Sequence, residues 1–112
     1  MSGIVLKVFG PVALVCCLGL PAMAAGDAAK GAELYTKKCK MCHAADGAGT
    51  PPMLKKFGAE LKPLGGAEIQ AKNDAALAKS IAAGKNHATP ARNLQPADLD
   101  NLVAHIRTLK KQ

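Results

Sequence analysis

Cys39-Lys40-Met41-Cys42-His43 decides how this chain is read. It is one unbroken C-x-x-C-H, the spacing at which c-type haem is attached. Two thiols three positions apart can each form a thioether to one vinyl group of a porphyrin. The imidazole next in the chain is then placed under the iron as proximal ligand. The rest of the chain reads as a housing for that group unless its residues object.

Upstream, residues 1–24 read as a secretory signal. Lys7 supplies a positive start, Val12 to Leu20 an apolar stretch, and Ala22-Met23-Ala24 an A-x-A cleavage site. The apolar stretch is too short, and too interrupted by Gly10, Pro11, Gly19 and Pro21, for a membrane span. The expectation is a signal peptide at 1–24, a single domain at 25–112, and no stable membrane insertion of the mature chain. Cys16 and Cys17 leave with the signal, so Cys39 and Cys42 are the cysteines that remain. The compartment implied is periplasmic, where thiols can meet haem or an oxidant.

Composition agrees. Beyond the signal, Tyr35 and Phe57 are the only aromatic residues and there is no Trp. A domain of this size with so little apolar bulk is marginal by itself, and a covalent haem supplies what is missing. The formal charge is +7, or +6 once Lys7 is removed. With so few aromatics among the basic residues, no nucleic-acid platform is present. A redox partner with an acidic docking surface is the natural counterpart.

The periodicity predicts three helices and no strand. The first runs from Asp27 to Lys38, with Asp27 as N-cap. Gly31 costs this helix about 1 kcal/mol against Ala, which a close helix crossing would offset. The second runs from Asn73 to Ala83, with Asn73 as cap, Leu77 and Ile81 as an apolar pair, and Gly84 as a C′ stop. The third starts at Pro96 and carries Leu99, Leu102, Val103, Ile106 and Leu109 on one face. A turn around Ala67–Ala71 is a fourth candidate. Between His43 and Gly66, repeated Gly and Pro predict an irregular stretch organised by a cofactor.

In this order of parts the chain resembles a small single-haem class I cytochrome c. "GAELYTKKCKMCHAADGAGT" and "NLQPADLDNLVAHIRTLKK" carry the likeness. The resemblance implies an all-α fold of three to four helices wrapped around one covalent haem c and its iron. It implies a first helix crossing the last, with Gly31 and Tyr35 meeting Leu102 and Ile106. It also implies periplasmic electron transfer, not enzymatic catalysis. Cys39 and Cys42 are then the thioether anchors and His43 the proximal iron ligand. His43 needs a carbonyl on its other ring nitrogen, and by position Pro51 or Pro52 matches the family's donor of that carbonyl. Lys37, Lys38, Lys40, Lys55 and Lys56 are candidates to ring the exposed haem edge.

The chain departs from the family at the distal ligand. The family usually places a Met just before a proline ahead of the last helix. Here the loop reads Gly84-Lys85-Asn86-His87-Ala88-Thr89-Pro90 and contains no Met. His87 is the favoured replacement and Met53 the alternative, while an open iron is the third possibility. Bis-histidine ligation implies a lowered reduction potential and an electron carrier. An open or displaceable site implies a haem module that binds or senses small ligands. His105, on the last helix, reads as a packing residue, and Met41 as a spacer.

Two rival uses of the cysteines are weak. A thiol–disulfide oxidoreductase normally needs a βαβ context and has no use for His43. A zinc site would draw on His87 and His105, whose spacing is far outside the usual three to five residues.

Overall fold

The computed structural model describes residue 3 and residues 26–111; apart from Gly3, the expected signal peptide lies outside them. Every regular element among the described residues is helical: α1 (Ala28–Lys38), α2 (Lys40–His43), α3 (Pro51–Phe57), a 3₁₀ turn (Gly58–Glu60), α4 (Ala67–Gln70), α5 (Asp74–Ala83) and α6 (Pro96–Thr108). None is long and apolar enough to cross a membrane.

The three expected helices form, the first two with their expected N-caps. The Asp27 carboxylate accepts from the backbone N–H groups of Ala29 and Lys30, and Asn73 accepts from that of Ala76. Pro96 opens α6, where its missing N–H costs nothing. Beside the three long helices, the short α2, α3 and α4 complete the α-helical segments of the described residues. Residues 43–66 are not irregular throughout, because Pro51 and Pro52 occupy the first turn of α3. Prolines placed there initiate a helix and do not break it.

The core lies where α1 crosses α6. Tyr35, Leu102, Val103 and Ile106 are buried there, and Leu77 joins them from α5. The crossing is close because Gly31 has no side chain. A Cβ on it would stand 1.9 Å from the Asn101 carbonyl oxygen and 3.0 Å from the Cβ of His105. Gly31 thus meets the Asn101–His105 turn of α6, with Tyr35 stacked at a tilt on the His105 ring at 4.8 Å.

One side-chain hub fastens α6 to the α4–α5 connection. Gln70 donates to the carbonyls of Leu64 and Ile106. Arg107 donates to the carbonyls of Gln70 and Lys72 and to the Asp74 carboxylate. The carbonyls of Gln70 and Ile106 lie in the last turns of α4 and α6, where helix ends leave acceptors open.

Candidate haem site

The pentapeptide sits on a corner. Cys39 closes α1 and opens α2, its N–H bonded to the Tyr35 carbonyl at 2.9 Å. α2 is a single turn, ended by Ala44 at φ 63. The backbone then folds back over it: Gly49 N–H donates to the His43 carbonyl at 2.8 Å and Thr50 N–H to that of Cys42 at 3.0 Å. Gly49 makes this return at φ 94, in the left-handed region that favours glycine. The buried Tyr35 hydroxyl donates to the Ala44 carbonyl from the other side. The motif is therefore held by backbone on both flanks.

Cys39, Cys42 and His43 open into a cavity of about 700 Å³ enclosed by α1, α3, α5, α6 and the loop after α5. Its walls are mostly apolar, with Met53, Leu61, Leu64, Leu77, Ile81 and Leu102 among them. No disulfide joins Cys39 and Cys42. Burial, followed by the neighbouring Cys42, pushes the Cys39 thiol up to about 11, against the pull of Lys38. Burial, then the neighbouring His87, lowers the pKa of His43, which favours the neutral form of its imidazole. Neutral imidazole is the form that binds metal.

His87 faces His43 across this space. The ring centroids are 6.1 Å apart and the planes inclined at 60°. Ser80, in the last turn of α5, accepts a hydrogen bond from Nδ1 of His87 at 2.9 Å. A carbonyl can only accept, so Nδ1 carries the proton and Nε2 is the nitrogen left to ligate. Thr89, at the family's usual ligand position, is exposed and does not line the cavity. Met53 is half-buried in the wall on α3. His105 stays outside the cavity, against Tyr35.

Pro51 and Pro52 do not supply the expected carbonyl. Nδ1 of His43 is buried with no hydrogen-bond partner. Both prolines are exposed in the first turn of α3, where carbonyls point along the helix to the residue four ahead.

The lysine rim also differs in membership. Of the five lysines expected, Lys38 and Lys56 line the cavity, while Lys37, Lys40 and Lys55 are exposed elsewhere. Lys62, Lys72 and Lys85 complete the rim, with Glu60 as its single acid. These three are scattered along the sequence, and no local pattern marks them.

The residues present fit a haem. Two thiols and two imidazoles line one mostly apolar cavity, the imidazole centroids 6.1 Å apart, a donor set that suits a thioether-anchored haem iron.

Comparison with known proteins agrees with this geometry. The cytochrome c family model matches residues 28–110. A cytochrome c-554(547) from Halothiobacillus neapolitanus is 37% identical over 91 residues, covering 77% of this chain and 100% of that protein. Among solved structures, the KustC0563 c-type cytochrome is similar with a TM-score of 0.56 and 29% identity, over 72% of this chain and 98% of its own. The chain belongs to the cytochrome c family: it is an all-α electron-transfer protein carrying covalent haem c with its iron.

Proposed function

We propose that this protein is an exported, periplasmic electron carrier whose haem would be anchored to Cys39 and Cys42 and whose iron would be held by His43 and His87. The observation that carries this reading is the facing of the two imidazoles at 6.1 Å. When bound, the haem supplies a one-electron iron couple.

The chain's own residues do the rest. His43 and His87 would hold the iron in both oxidation states, so that an electron could pass without a bond being made or broken. The apolar wall keeps water from the iron. Lys38, Lys56, Lys62, Lys72 and Lys85 at the cavity present positive charge to an acidic partner. Two imidazoles lower the reduction potential relative to a His/Met pair, because Met ligation raises it.

Carbon monoxide separates this reading from its rivals. The ferrous wild-type protein is expected to bind it slowly and weakly, and His87→Ala to bind it at once. Immediate binding by the wild type, unchanged in His87→Ala, would mean an open iron and a ligand-binding module. Weak binding retained in His87→Ala would assign the distal position to Met53.

A further inference from the structure

α5 ends at Ala83, and Gly84 follows at φ −61 and ψ 146. Those angles are open to any residue, so the backbone does not require glycine here. Space does. A Cβ on residue 84 would stand 2.4 Å from Nδ1 of His87, 3.0 Å from its Cε1 and 2.5 Å from the Ser80 carbonyl oxygen.

The hydrogen bond between Nδ1 and that carbonyl therefore occupies the room left by the missing side chain. Ser80 belongs to the last turn of α5, whose carbonyls have no partner within the helix. The backbone closes the same turn: His87 N–H donates to the Gly84 carbonyl at 2.9 Å, and Ala91 N–H to that of His87 at 2.8 Å.

We propose that Gly84 is a positioning residue for the distal ligand: its bare α-carbon lets the free Ser80 carbonyl bind Nδ1–H of His87 and so presents Nε2 to the iron. This rests on His87 being that ligand. A partner on the far nitrogen orients a ligating imidazole and raises its basicity. His43 has no such partner, so within this site the device belongs to the distal side alone.

The test is Gly84→Ala in the haem-loaded protein. Loss of such a partner typically weakens ligation about 10–100-fold. Ferrous Gly84→Ala should then bind carbon monoxide roughly 10–100-fold more tightly than the wild type, since more of the iron is free to take it. Its reduction potential should rise as well. A merely structural role would lower the melting temperature and leave both readings in place.

Because the new Cβ also meets Ser80, the same substitution is made in His87→Ala. With the ring gone, Gly84→Ala should no longer change carbon monoxide affinity. An equal gain in both backgrounds would overturn the proposal, as would a Gly84→Ala protein that matches the wild type in affinity and potential. Failure of the underlying reading looks different: the wild type itself binds carbon monoxide at once and His87→Ala changes nothing.

If Gly84→Ala does not accumulate with haem, the diamagnetic ferrous wild type supplies the reading by NMR. The Nδ1–H proton of His87 should exchange slowly and show a nuclear Overhauser contact to the Gly84 α-protons. A fast-exchanging proton without that contact would overturn the proposal.

Discussion

The two sides of the cavity present their imidazoles by opposite means. His43 arrives on a corner of backbone, clamped by Tyr35 beneath and by Gly49 and Thr50 above, yet its own Nδ1 is unpartnered. His87 arrives on a loop of turns after α5, and its ring is held by a side-chain hydrogen bond to Ser80. The proximal side holds its imidazole through the main chain; the distal side holds its own through one hydrogen bond, in the room beside Gly84. The distal side is therefore where small substitutions should retune the iron without unfolding the protein.

The largest effect should come from the proximal side. His43→Ala is expected to abolish stable, correctly ligated haem in the purified protein, read from its visible spectrum. A protein with unchanged spectrum would break the comparison at its firmer end.

On the distal side, His87→Met should leave the haem in place and raise the reduction potential by on the order of 0.1 V, since axial ligand identity is a main lever on it. Potentiometric titration checks this. An unchanged potential would remove His87 from the iron.

The proximal side was legible in the sequence because its chemistry is contiguous: two thiols and an imidazole within five residues leave few alternatives. The N-caps of α1 and α5 were legible for the same reason, each being a local bond. His87 could be reached only by exclusion, from the lack of Met in its loop, because its opposition to His43 is a product of the fold.

Gly84 shows the limit clearly. Its place after α5 reads as a left-handed stop, whereas its φ is −61 and its role is clearance for a ring three residues on. α3 was obscured by glycines and prolines that read as breakers, although Thr50-Pro51-Pro52 also fits a helix start. Nothing local could reveal that Lys62, Lys72 and Lys85 share the cavity with Lys38 and Lys56.

Packing should follow the same division. Leu102 is 1% exposed, beneath the crossing that carries the proximal corner. Leu102→Ala should cost about 2–5 kcal/mol in thermal or denaturant unfolding. Arg107→Met acts on the other side by freeing the α4–α5 connection from α6. It should cost about 1–3 kcal/mol, mainly through the carbonyls of Gln70 and Lys72 that lose a charged donor. The exposed pair with Asp74 adds little. If Arg107→Met also speeds carbon monoxide binding, the distal side is the more loosely held of the two.

The smallest effect concerns His105. Burial lowers its pKa, and its Nε2 has no partner. The folded protein therefore binds its proton less readily than the unfolded chain. The contribution to stability is intact above the ordinary value of 6.5 and declines as pH falls from there toward the lowered folded value. His105→Phe keeps a ring against Tyr35 and should flatten that part of the stability–pH curve. A curve of unchanged slope would show that the acid sensitivity lies elsewhere.

The most direct test of the central claim is the near-infrared charge-transfer band of the ferric wild-type protein, whose energy reports the two atoms on the iron's axis. A band at the position for two imidazole nitrogens is the result predicted for His43 and His87. A band at the position for one nitrogen and one thioether sulfur would contradict it and hand the distal side to Met53.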